Sequence, residues 1–239
     1  MKKRSFLYII SIISVLPAFS QSTESHATIL EARKQGATFS HTDAYVAHVL
    51  TGKKYWNTRR HYKQFFLEKS PIEGNLIYDG VLFNNIEMQY NLFTQQVIVL
   101  LETKNNERYV TISLDKISGF SIYSHEFTLL SGDSVMKKGI YELAYTGTTS
   151  NLFIKRTKRL KEVNAGMDLK IDYTPVNRYY LRNEFGTNQI TSKKDLLNAY
   201  DNSEELNSII KENRIKFSKK KIEQGLISAL SYLDPNPNK

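Results

Sequence analysis

The stretch "NNIEMQYNLFTQQVIVLLETKNNERYVTISL", residues 84 to 114, carries two apolar rhythms, and its reading decides the fold. Ile86, Met88, Tyr90 and Leu92 alternate with Asn85, Glu87, Gln89 and Asn91. A period of two is the signature of a strand with one wet and one buried face. Val97 to Leu101, "VIVLL", loses the alternation. So short a β-branched run reads as a strand covered on both sides, although periodicity alone does not separate it from a turn of buried helix. Lys104-Asn105-Asn106 then forms a polar turn into "RYVTISL", where Val110, Ile112 and Leu114 alternate again.

Working outward, Asp79-Gly80 sits between Leu76-Ile77-Tyr78 and Val81-Leu82-Phe83, and this dipeptide predicts a two-residue type I′ hairpin because both central residues need positive φ. Downstream, "ISGFSIY", "EFTLLSGD", "GIYELAYTG", "NLFIKR" and "RYYLRNEFG" repeat the strand pattern between Gly, Asn, Asp or charged pairs. Residues 72 to 190 are therefore expected to form an antiparallel β meander. Sequential strands should be neighbours, and the sheet can curve toward a half-barrel whose closure sequence leaves open.

Beyond residue 190 the rhythm becomes helical, which makes the fold class α+β with C-terminal α-helices over 191–239. Ser192 with Asp195, and Ser203 followed by Glu204 and Glu205, predict two capped starts. Ser218 is the expected cap of a third helix, in which Ile222, Leu226, Leu230 and Leu233 form one stripe behind Lys219, Lys220 and Lys221. That stripe must pack on something, and the second face of Val97–Leu101 is the candidate.

At the other end, Lys2, Lys3 and Arg4 precede an apolar run from Phe6 to Leu16 and the small-residue ending Ala18-Phe19-Ser20. This order predicts a signal peptide over 1–20, cut between Ser20 and Gln21. A membrane anchor would need about 18 apolar residues, and this run is broken by Ser11, Ser14 and Pro17. With no cysteine, the chain has no lipobox, disulfide, thiolate nucleophile or Cys-based zinc site. The formal charge is +9, and the mature chain remains basic after losing three cations. For an exported protein, anionic envelope lipid or glycan, or an envelope protein, is the expected partner, and nucleic acid is not. Solubility alone is the plainer reading of the charge.

Residues 21 to 71 read as mixed or irregular, with one feature of interest. "KKYWNTRRHYK" interleaves Tyr55, Trp56 and Tyr62 with Lys53, Lys54, Arg59, Arg60 and Lys63, a composition that can stack on sugars and hold phosphates. Trp56, the single tryptophan, is more simply a core or rim anchor. "KRTKRLK", residues 155 to 161, reads as a solvated turn after a strand. Of the five histidines, His41 and His48, with Asp43 and His61, can be drawn as a metal site, while His26 and His125 stand apart. No HExxH or facial-triad spacing supports it, so no metal is expected. Glu204-Glu205 and the acids at Asp168 and Asp172 can be drawn as a glycosidase pair, but acids at a helix start answer the macrodipole. Neither a GxSxG elbow, a P-loop nor a GxGxxG run occurs, and no cofactor is expected.

"GNLIYDGVLFNNIEMQYNLFTQQVIVL", "ISLDKISGFSI" and "KKDLLNAYDNSEELNSIIKENRIKF" together resemble a family of uncharacterised exported proteins of Bacteroidetes-like Gram-negative bacteria. The resemblance spans most of residues 72 to 234. It implies an envelope location and a β-rich body with a helical end, and it carries over no activity. The expected function is a non-enzymatic binding or scaffolding module, periplasmic or outer-membrane associated, with no membrane span after cleavage. The alternatives are an envelope hydrolase of glycan or peptide, or a carrier of an apolar ligand within a curved sheet.

Overall fold

The computed structural model describes residues 50, 52–55, 63–67, 70–103, 106–165 and 168–235. Eleven strands form one antiparallel sheet: β1 (Gly52–Lys54), β2 (Ile72–Tyr78), β3 (Val81–Asn91), β4 (Gln96–Thr103), β5 (Asn106–Ile112), β6 (Ile117–Ile122), β7 (His125–Leu130), β8 (Gly139–Thr146), β9 (Asn151–Ala165), β10 (Asp168–Asn183) and β11 (Gly186–Ile190). Their order is β1-β5-β4-β3-β2-β6-β7-β8-β9-β10-β11. Two meanders, β2 to β5 and β6 to β11, are thus joined side by side where β6 pairs with β2. The helices α1 (Lys193–Asn198), α2 (Glu204–Glu212) and α3 (Ile222–Leu233) follow, so the α+β class with C-terminal helices holds.

Local chemistry accounts for several boundaries. Asp79 and Gly80 take φ of 54° and 78°, the doubly positive pair of a type I′ turn. In β3 one extra residue lies opposite β2, with Asn85 at φ 53°, and this bulge lets Phe83 and Ile86 share one face although they are three apart. Asn91 is buried because its Oδ1 accepts from the amides of Phe93 and Thr94, both at 3.0 Å, closing the turn into β4. Ser192 and Ser203 cap α1 and α2 as expected, accepting from the amides of Asp195 and Leu206. Ser218 does not cap α3. Its carbonyl accepts from Lys221 N at 2.8 Å in a preceding turn, and the helix begins at Ile222.

The sheet is open but cannot be flat. β5 and β6 run in the same direction four places apart, about 19 Å across a flat sheet, yet only residues 113–116 join them. Fully extended, that link reaches about 17 Å, and Leu114–Lys116 is wound into a 3-10 turn. β2 to β6 must therefore coil. The inner face so formed is filled by Leu76, Phe83, Met88, Val99, Val110 and their neighbours. At its centre Phe120 stacks on Phe127 at 4.7 Å, and Tyr90 meets both edge-on.

Cross-strand pairing carries that inner face onward: Phe127 lies opposite Glu142, and Glu142 opposite Ile154. Leu152 and Leu181 share it, and the helices cover it there through Leu206, Ile210, Leu226, Ala229 and Leu230. Val97–Leu101 is the strand β4, with Val97, Val99 and Leu101 turned inward and Ile98 and Leu100 buried on the outer face. The helical tail is thus not the cover of that second face, because it lies on the opposite side of the sheet. A third cluster, Leu130, Met136, Tyr141, Phe153 and Tyr180, packs on the outer face of β7 to β10.

Two further features concern β1 and β9. The segment before residue 72 contributes β1, paired with β5, and an isolated bridge from Phe65 to Asn91. "KRTKRLK" lies wholly inside β9 and is no turn. β9 and β10 outrun β8 and form a two-stranded arm whose outer edge reaches the β3–β4 turn: Lys158 N donates to Leu92 O at 3.1 Å, and Gln95 Nε2 to Arg156 O at 3.0 Å. Phe93 meets Tyr173 edge-on, and Lys63 pairs with Asp172 at 2.9 Å.

Candidate functional site

Of the basic aromatic stretch, Lys53 and Lys54 are exposed in β1, while Tyr55 is half-buried and edge-on to Phe65 at 6.4 Å. Trp56, Arg59, Arg60 and Tyr62 lie outside the described residues, as do Ser20, Gln21, His26, His41, Asp43, His48 and His61. Glu204 and Glu205 are exposed in the first turn of α2, apart from Asp172 on the β10 arm. Among the described residues, no group of three or more His, Cys, Asp or Glu could hold a metal ion. No helix among them is long and apolar enough to cross a membrane.

What the fold does assemble is a chain of charged groups between the two inner clusters. Glu142, 4% exposed, accepts from Arg156 Nε on one oxygen, and its other oxygen lies 2.6 Å from His125 Nδ1. Arg156 reaches on to Glu223 of α3 with both terminal nitrogens, at 3.1 and 2.7 Å. Tyr179 Oη stands 3.5 Å from the same carboxylate. Burial pushes the guanidinium pKa down, but hydrogen bonds to Glu142 and Glu223 outweigh it and leave the net shift upward. Phe66 closes the chain on one side, edge-on to His125 at 5.0 Å and beneath Arg156 at 5.8 Å. This is a bracket tying α3 to the sheet. It also orients His125, a half-buried imidazole whose carboxylate partner is already shared with an arginine.

Beside Tyr179, where β11 ends, a cleft of about 340 Å³ opens between β10 and the segment leading into α3. Pro175, Asn177 and Tyr179 line the strand side, Phe217 and Ile222 the helical side, and Ile190 and Thr191 the end. Arg178 and Lys219 also line it, both exposed and neither in an ion pair among the described residues. Burial first, then Glu223, raises the Tyr179 hydroxyl above its ordinary pKa, and its proton is directed at Glu223. The cleft can hold a small amphipathic group, apolar against Phe217 and Ile222 and anionic toward the cations.

Sequence reasoning passed over these residues for identifiable reasons. Arg156 sits in "KRTKRLK", whose charge density reads as a turn, whereas its alternation with Lys155 and Thr157 continues the strand pattern of Leu152 to Ile154. Glu142 lies inside "YELAY", and a lone acid in a strand run carries no local mark of burial. Phe217 and Tyr179 are close only because α3 folds back.

Comparison with protein families, with curated proteins and with solved structures finds no match.

Proposed function

We propose that the protein is an exported, non-enzymatic binding module of the cell envelope, periplasmic or at the outer membrane, which takes an anionic envelope partner in the cleft beside β10. The observation that carries this reading is the pairing of Lys219 with an apolar wall of Phe217 and Ile222, with Arg178 at the strand edge, its side chain on the outer face beside Lys155. Among the described residues, the half-buried cations Arg156 and Lys158 are matched by carboxylates or carbonyls. Arg178 and Lys219 are exposed and have no carboxylate partner among the described residues, so both are accessible to an anion. Lys220 and Lys221, both exposed, extend the positive field along the approach to α3.

Charge reversal tests it. Arg178→Glu with Lys219→Glu should lower affinity for an anionic probe, whether an acidic peptide, phosphatidylglycerol vesicles or purified envelope polysaccharide, at least tenfold. Melting should be unchanged, and wild-type binding should weaken steeply with salt. Equal affinity in the double variant would remove the cleft as the site, and Lys53→Glu with Lys54→Glu would then test the strand β1 edge. Export itself is tested by N-terminal sequencing of protein from the envelope, which should begin at or near Gln21; recovery of Met1 contradicts it.

The hydrolase alternative draws on His125 and Glu142. Sharing of Glu142 with Arg156 and packing of Phe66 on the ring favour a structural bracket instead. The carrier alternative meets an inner face filled by Tyr90, Phe120 and Phe127.

A further inference from the structure

β10 has sixteen residues and β11 five, and their last pair is Tyr179 with Ile190. Among the described residues, β10 from Arg178 back to Asp168 is paired only with β9. Asn183 and Gly186 flank a two-residue turn, so Asn183, Leu181 and Tyr179 exchange backbone bonds with β11, and the residues between them with β9. Continued along the strand, this alternation turns the N–H and C=O of Asn177 and the C=O of Pro175 onto the unpaired edge. The partner strand agrees: Lys158, opposite Pro175, points its amide away from β10 to Leu92 O, and Arg156, opposite Asn177, points its carbonyl away to Gln95. Pro175 is tolerated within so long a strand because its missing N–H faces the side where no strand pairs.

The two edges of the β9–β10 arm are therefore treated differently. On β9 the outward Arg156 carbonyl and Lys158 amide are capped by the chain's own β3–β4 turn. On β10 they open into the cleft, along the line that β11 would have followed past Ile190. We propose that the cleft receives an extended acidic segment of a partner polypeptide, added as a short antiparallel strand to the β10 edge at Asn177 and Pro175, in line with β11. This rests on the reading of the cleft as the binding face. Backbone bonds to Asn177 and the Pro175 carbonyl hold the segment, the side chains that alternate onto the helical side lie against Phe217 and Ile222 beside Lys219, and those on the outer face carry carboxylates to Arg178. Pro175 offers no donor, which keeps the added strand short and discourages indiscriminate edge-to-edge pairing. An anionic lipid headgroup would satisfy the cations and leave the strand edge unused.

The test is calorimetry on the full chain with a synthetic heptapeptide alternating valine and aspartate, two forms of it N-methylated on alternate amides of one edge or the other, and phosphatidylglycerol vesicles. The parent peptide should bind, and one N-methylated form should bind at least tenfold more weakly. Asn177→Pro, which removes the outward N–H and leaves the β9 ladder intact, should cost a similar factor with melting unchanged. Should that variant unfold, the N-methylated pair decides. Equal binding of all three peptides, or binding of vesicles and no peptide, overturns strand addition; if Arg178→Glu with Lys219→Glu still abolishes the binding, the cleft stands. Peptide and vesicle binding that both ignore the charge reversal overturn the cleft reading too.

Discussion

Arg156 holds two carboxylates, and Glu142 beneath it is almost fully buried, so the effect of breaking this group is set by what is left behind. Arg156→Met takes the guanidinium from Glu142, leaving only His125 beside that carboxylate among the described residues, and should destabilise the fold by about 3–5 kcal/mol, whereas Glu142→Gln in the same background should recover much of the loss. Denaturant melts of the single and double variants measure that coupling, and additive losses would show that the bracket is no unit. Lys155 behaves oppositely. Burial first, then the charge of Arg178, pushes its ammonium down to about 8, and it sits over the Tyr141 ring at 4.8 Å with, among the described residues, only the Ile140 carbonyl as acceptor. A lysine whose folded pKa is depressed destabilises the fold while it stays charged. The fold regains that stability as pH rises from about 8 toward the unfolded value near 10.4. Lys155→Met should therefore stabilise at pH 7 by roughly 1 kcal/mol, discounted for partial exposure, and the gain should vanish by about pH 10. A gain that persists at high pH would assign the effect to packing.

Among the elements, α3 is held by shape as much as by its apolar stripe. Gly225 lies so close to the segment before the helix that an added Cβ would stand 2.5 Å from Lys216 O. Glycine to alanine in a helix interior ordinarily stabilises by about 1 kcal/mol; here Gly225→Ala should lower the melting temperature instead, because backbone cannot swing aside as a flexible side chain can. An unchanged or higher melting point would mean that the contact yields. Leu226 and Leu230 are fully buried, so Leu226→Asp or Leu230→Asp places an unpaired charge in the core and should cost several kcal/mol, of order 4. Thermal melts of these variants show whether the tail is part of the fold.

Across the whole molecule, the C-terminal end of α3 is fastened to the β8–β9 turn by one carboxylate. Asp234 accepts from the amides of Thr148 and Thr149 and from the hydroxyl of Ser150, and its carbonyl accepts from Tyr145 Oη at 2.5 Å. Burial pushes the Asp234 pKa up, but these hydrogen bonds prevail and hold it below the ordinary carboxylate value. A depressed carboxylate contributes stability that is fully present above its unfolded pKa, near 3.9, and is lost as pH falls through the lower folded value. Asp234→Asn should accordingly lower the melting temperature at pH 7 and flatten its decline below about pH 4, in melts recorded from pH 7 to 2. A parallel acid limb in both proteins would exclude Asp234 as a source of the acid sensitivity.

The sequence by itself determined the strands, the Asp79-Gly80 hairpin, the Ser192 and Ser203 caps and the buried stripe of α3, since each depends on periodicity or turn chemistry within a few residues. Tertiary structure alone decided which faces meet. The helices lie on the inner face beside Leu152 and Leu181, and not on Ile98 and Leu100, because apolar burial is non-directional and a stripe states only that it must be covered. "KRTKRLK" became strand because Glu142 and Glu223, far off in sequence, satisfy Arg156, while Leu92 and Gln95 cap the backbone of its edge. The cleft is of the same kind: β11 stops short of β10, and α3 returns to wall the gap it leaves. Long-range closure of this sort places residues by the path of the chain, and no local pattern of residues records that path.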